Sequence, residues 1–169
     1  MTNANEIIKY LNMSKHPEGG FFKETYRSGE TIKHKYLPDR FTLDHAFSTA
    51  IYFLLKQGDF SALHTIKQEE IWHFYSGAPI DIHMIHPDGD YESIHLGNDI
   101  LNGEVPQGIV PAGSVFGATV CDSTKYDYSL VGCTVAPGFE FEDFTLHKKD
   151  ELLERFPQHR ELIESLTRE

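Results

Sequence analysis

A histidine and a glutamate six positions apart, His64 and Glu70, form the pair in this chain best suited to chemistry. They lie in the stretch 58–77, GDFSALHTIKQEEIWHFYSG, which opens and closes on glycine. Alternation through it predicts two short strands joined by a polar turn at Lys67-Gln68-Glu69. Phe60, Ala62, His64 and Ile66 share one face of the first strand, and Glu70, Trp72 and Phe74 share one face of the second. Imidazole titrates near neutrality. Burial raises a carboxyl's pKa and lowers that of a histidine, while pairing opposes both shifts. In an apolar chamber such a pair suits proton transfer: His64 would take a proton from the carbon beside a carbonyl, and Glu70 would orient the ring. The plainer alternative is a buried His–Glu hydrogen bond that merely lines a cavity.

The elements that would position the pair are mostly strands. Phe21 to Arg27 alternates, with Phe22, Glu24 and Tyr26 on one face. Ser48 to Lys56 is an apolar strand buried on both faces, and residues 29–45 are polar and loop-like. Ile80 to His86 and Tyr91 to Leu96 flank the turn Pro87-Asp88-Gly89-Asp90 as a hairpin. Gly108 to Pro111, Val115 to Cys121 and Tyr128 to Ala136 bring the number to about nine or ten strands, a pattern that predicts an all-β sandwich or barrel. Asn3 to Asn12 predicts a short helix capped by Asn3 or Asn5. Lys148 to Phe156 and Gln158 to Thr167, divided by Pro157, predict a helical appendage outside the barrel. The whole of 1–169 is expected to be one domain, with the barrel over about 19–146 and the C-terminal helices over about 148–168.

The register of Gly58, His64, Glu70 and Gly77 resembles the first motif of the cupin superfamily, except that its second histidine is Ile66 here. The second motif survives only as Pro111-Ala112-Gly113; its histidine and asparagine positions hold Phe116 and Val120. HPEGGFFKETYRS at 16–28, IWHFYSG at 71–77 and TVAPGFEFEDFTL at 134–146 resemble one uncharacterised branch, cupin-like family 5. The resemblance spans nearly the whole chain. It implies a double-stranded β-helix jelly roll, related in shape to sugar-nucleotide epimerases and commonly dimeric, and it implies no established reaction.

Cupin metal ligands would map to His64, Ile66, Glu70 and Phe116. Two donors are few for a divalent ion, so no cofactor is expected; a metal, if present, would sit on His64 and Glu70. The sugar epimerases of this fold pair a histidine base with a tyrosine acid, a role open to Tyr26 or Tyr52. Ile66, Trp72, Phe74 and Phe116 would wall a small-ligand pocket, with Glu24 and Tyr26 reaching in from the first strand. Glu140, Glu142 and Asp143 are read as a solvated face.

A net charge of −11 and a pI near 5.3 argue against nucleic acid and anionic membranes as partners. No signal peptide is evident, and no stretch reaches the roughly 18 apolar residues of a membrane span, so a cytoplasmic location is expected. Cys121 and Cys133 are read as reduced, buried and structural. A homodimer is expected, since exposed sheet edges need cover. Three functions follow. The first is a metal-independent isomerase or epimerase acting at His64 and Glu70 on a sugar or carbonyl compound. The second is a non-catalytic small-ligand binding protein, and the third a metal-dependent cupin oxidoreductase or isomerase.

Overall fold

Runs of β-branched and aromatic residues separated by Gly, Pro and Asp turns fold into two facing antiparallel sheets. The computed structural model describes residues 3–168. Its first half holds β1 (Ser14–Lys15), β2 (Phe21–Arg27), β3 (Thr31–Ile32), β4 (His45–Ala46), β5 (Thr49–Lys56), β6 (Phe60–Thr65) and β7 (Glu70–Gly77). The second half adds β8 (Ile80–Ile85), β9 (Tyr91–Leu96), β10 (Gln107–Val110), β11 (Val115–Val120), β12 (Tyr128–Val135) and β13 (Thr145–Leu146). One sheet runs β1-β2-β5-β12-β7-β10, the other β13-β6-β11-β8-β9, and β3 pairs with β4. Strands distant in sequence are neighbours in each sheet, as a jelly roll requires. The strands beyond the nine or ten expected are two-residue pieces, too short to produce alternation.

The inner faces meet over a core that includes Phe53, Leu55, Trp72, Ile82, Met84, Phe116 and Val131. Phe53 and Trp72 pack edge to face at 5.8 Å, and burying such a side chain contributes about 1.5–3 kcal/mol. Helix α1 (Ala4–Tyr10) starts in a reciprocal cap between Asn3 and Glu6 and packs with Leu54 and Tyr128 on the outside of the six-stranded sheet. Helices α2 (Lys149–Arg155) and α3 (Arg160–Ser165) place Leu152, Phe156, Ile163 and Leu166 against Leu63, Ile85 and Val115, outside the five-stranded sheet. Among the described residues, no helix is long and apolar enough to cross a membrane.

Two local irregularities position the site. The first is the turn at 16–20. The His16 N–H donates to the Gly20 carbonyl and the Gly19 N–H to the His16 carbonyl, each at 3.0 Å. Gly19 and Gly20 have φ of 111° and 71°, the left-handed region that side chains disfavour. A Cβ at Gly19 would run into the Phe60 carbonyl and the Arg168 guanidinium. The preceding residue, Glu18, is thereby pressed onto β6, where its carbonyl accepts from the Ala62 N–H at 2.7 Å. Gly19→Ala is expected to lower stability by about 2 kcal/mol or more, from backbone strain plus overpacking, as measured by urea denaturation. A loss below about 0.5 kcal/mol would show that the turn is not constrained in this way.

The second irregularity is a bulge in β2. Glu24 stands opposite Ile51 and Tyr26 opposite Ala50, leaving Thr25 as the extra residue. The bulge reverses the alternation beyond it. Arg27, not Tyr26, continues the inward face begun by Phe22 and Glu24.

Candidate functional site

Between the sheets lies a cavity of about 100 Å³. At its base β6 presents His64 and β7 presents Glu70, on walls that include Ile66 and Trp72. The partner of His64 is not Glu70. Its Nδ1–H donates to the Ala62 carbonyl at 2.7 Å, and its Nε2 lies 2.9 Å from Glu18 Oε2. Both groups are almost fully buried. Burial alone would lower the imidazole's pKa, but the charge and hydrogen bond of Glu18 reverse this and raise it. Burial would likewise raise Glu18, but His64 brings it below the usual carboxylate range. Both shifts favour the ionised form of the pair, an imidazolium beside a carboxylate.

Glu70 behaves in the opposite way. Burial, reinforced by repulsion from Glu18, pushes its carboxyl up to about 7, against the opposing pull of His64. The Cys133 thiol and the Trp72 indole also bear on this carboxyl and favour its charged form. One cavity thus holds an ionised carboxylate and a second carboxyl that titrates near neutrality, the separation of roles that acid–base chemistry uses.

His16 joins from the 16–20 turn. Its Nδ1 accepts from the Glu18 N–H at 3.3 Å, and burial lowers its pKa, so this ring is neutral. At the mouth, Arg27 is fully engaged. It donates to both Glu24 oxygens at 3.0 Å, to Glu140 Oε1 at 2.7 Å and to the Phe139 carbonyl at 3.0 Å. Phe139, Phe141 and Phe144 also line the cavity, with the Phe144 ring 5.3 Å from the His64 ring. A buried network holds their segment in place: Asp143 Oδ2 lies 2.7 Å from His45 Nε2 and accepts from Gln68 Nε2 at 2.8 Å.

Several sequence expectations change. Tyr26 is 53% exposed on the outside of the sheet because of the β2 bulge, so it cannot supply an acid to the cavity. Tyr52 also faces outward, 5.9 Å from the Tyr75 ring. Phe74 and Phe116 belong to the core and not to the cavity wall; Phe116 backs His64 with ring centroids 4.1 Å apart. Glu24, Ile66 and Trp72 do line the cavity. Glu140 and Asp143 are not a solvated face, since one pairs with Arg27 and the other is buried. Glu18 and His16 were missed because they lie in a loop. The available signal was an acid directly before two glycines, where a forced turn can aim the side chain inward. Cys121 is only half-buried, whereas Cys133 is buried as expected.

The four-ligand cupin metal site does not fit these residues. Ile66 and Phe116 offer no donor atom, and the outward ring nitrogen of His64 is committed to Glu18. Although His64 and Glu18 are in contact, Glu70 does not join them in a cluster of three donor atoms all within 4.8 Å of one another; among the described residues, Asp81, His95 and Cys121 form such a cluster, on the outside of the barrel.

Comparison with known proteins agrees with this fold. The model of a family described as Cupin superfamily (DUF985) matches residues 5–147. A Shewanella oneidensis protein of known crystal structure is 38% identical, with 99% of each chain covered and a TM-score of 0.88. A hypothetical protein from Leishmania major is 31% identical, covering 99% of this chain and 100% of its own, with a TM-score of 0.90. An uncharacterised protein of Saccharomyces cerevisiae is 31% identical over 158 residues, which is 89% of this chain and 79% of that protein.

Proposed function

We propose that this chain, which belongs to the DUF985 family of the cupin superfamily, binds a small uncharged carbonyl compound in its barrel and moves a proton at the adjacent carbon. The observation that carries this reading is a carboxyl raised to about 7, Glu70, in one cavity with the Glu18–His64 ion pair. A group titrating near the working pH can both take and return a proton. Glu70 is therefore assigned as the acid–base group. With both ring nitrogens of His64 engaged, its role is electrostatic: the imidazolium favours negative charge developing on the substrate oxygen. The aromatic walls limit the water that would compete for these interactions.

The charges also restrict the ligand. Arg27 is the one Arg or Lys among the described lining residues, and two carboxylates hold it. A phosphate or carboxylate on the ligand would find no free cation, which weighs against a sugar nucleotide. A cavity of about 100 Å³ suits a ligand on the scale of a benzene ring.

Solvent deuterium exchange tests the reading. Neutral hydroxyketones and aldoses of about three or four carbons, a range set by the cavity, would be incubated with the protein in D₂O and followed by NMR. The expected result is exchange at the carbon beside the carbonyl, reduced roughly 10²–10⁴-fold in Glu70→Gln while ligand-induced stabilisation persists. Stabilisation without exchange in the wild type would favour the non-catalytic binding protein, a reading motivated by the fully engaged His64 ring. Neither stabilisation nor exchange would retire both.

The outer face of the six-stranded sheet carries exposed Ile71, Tyr75 and Ile109, with Ile71 directly opposite Ile109. We read this apolar face as the contact of a homodimer. Ile109→Glu is expected to convert dimer to monomer in light-scattering chromatography; a monomeric wild type would remove the assignment.

A further inference from the structure

We propose a second site, on the outer face of the five-stranded sheet, where Asp81, His95 and Cys121 bind a thiophilic divalent cation of the zinc class. Asp81 lies on β8, His95 on β9, and Cys121 directly follows β11. In the sheet Asp81 stands opposite His95 on one side and Thr119 on the other, so cross-strand register brings the three residues together.

One donor atom from each of the three residues lies within 4.8 Å of the other two. His95 Nδ1 is 2.6 Å from Asp81 Oδ1, and Cys121 Sγ is 3.5 Å from Asp81 Oδ2 and 3.9 Å from His95 Nδ1. Tetrahedral zinc, with bonds of about 2.0–2.3 Å, sets its ligand atoms roughly 3.3–3.7 Å apart. The two sulfur separations are already close to that range. The Asp–His contact is a hydrogen bond that would open slightly as the ion replaces its proton.

A nucleophilic thiol relay does not account for this arrangement. A relay uses the two ring nitrogens for different partners, whereas here the same nitrogen, Nδ1, faces both the acid and the thiol. The other nitrogen, Nε2, points toward Glu104 Oε1 at 3.9 Å. Glu104 is itself held by the Asp99 N–H at 2.8 Å. A carboxylate behind a histidine is the support that metal-bound imidazoles commonly have. Three protein donors leave a fourth position for water, and the site's exposure on the sheet provides access.

Cobalt titration of protein stripped with chelator tests the assignment. One equivalent of Co²⁺ is expected to produce a thiolate-to-cobalt charge-transfer band, which Zn²⁺ then displaces. Cys121→Ser should abolish the band, and His95→Asn should weaken Zn²⁺ binding by calorimetry at least about tenfold. Glu70→Gln, in the barrel, should leave both readouts unchanged. Circular dichroism would establish that each variant is folded. Absence of the band in the wild type, or Zn²⁺ binding unchanged by both Cys121→Ser and His95→Asn, would overturn the proposal. A band lost in Glu70→Gln but retained in Cys121→Ser would place the ion in the barrel and overturn it as well.

Discussion

Glu18→Ala is expected to lower folding stability by about 3–5 kcal/mol, the effect of leaving a buried charge without its partner. His64 would keep its Ala62 hydrogen bond and lose the carboxylate 2.9 Å from Nε2. With burial then unopposed by Glu18, the imidazole's pKa would fall, and NMR titration of the ring would follow it. The effect should depend on pH in a defined way. Glu18 is lowered from 4.5, so its contribution is present above 4.5 and lost as pH falls through the folded value. His64 is raised from 6.5, so its contribution is present below 6.5 and lost as pH rises through the folded value. The two overlap between 4.5 and 6.5, where the variant should differ most from wild type in urea denaturation. Glu18→Gln, which keeps the shape and drops the charge, should fall between them. A loss under about 1 kcal/mol at pH 5.5 would mean that the ion pair does not organise the cavity.

Glu70→Gln should have the opposite sign for stability and a large effect on turnover. In the unfolded chain Glu70 loses its proton near 4.5, whereas in the folded protein it keeps it to about 7. The folded state therefore binds the extra proton between those values, and stability falls as pH rises through that window. The full rise corresponds to about 3 kcal/mol. Glutamine removes this penalty, so the variant should match wild type near pH 4 and exceed it above pH 7, by up to about 10 °C in Tm. Proton exchange on the substrate should fall by roughly 10²–10⁴ in the same variant, and the wild-type rate should follow a pKa near 7. Parallel stability curves for the two proteins between pH 4 and 9 would contradict the burial of this carboxyl. Stabilisation with unchanged exchange would keep the burial and reject the catalytic assignment.

Long strands and both helical ends were legible because their patterns are local. Local alternation correctly placed His64, Glu70 and Trp72 on inward faces, but a register shift in β6 turns Phe60, expected beside His64, to the outer cluster with Leu63. A helix start has a local chemical requirement, which narrowed the cap to Asn3 or Asn5, and the structure places it at Asn3. Tyr26 was misplaced for an equally physical reason. One extra residue in β2 reverses the alternation, and the pairing with β5 that creates the bulge is not present in the run of residues itself. The β3 and β4 pieces and the buried His45–Asp143 contact join positions far apart in the chain, so no periodicity could announce them.

The sequence by itself determined an all-β sandwich or barrel and the inward direction of His64 and Glu70, because side-chain alternation suffices for both. The resemblance of its motifs to cupins added the jelly roll and the loss of donors at Ile66 and Phe116. Only the tertiary structure decided that Glu18 is the partner of His64, that Arg27 is neutralised at the mouth, and that Asp81, His95 and Cys121 meet outside. These depend on distances between remote segments. Charges choose partners by separation and dielectric, and both exist only once the sheets have closed around them.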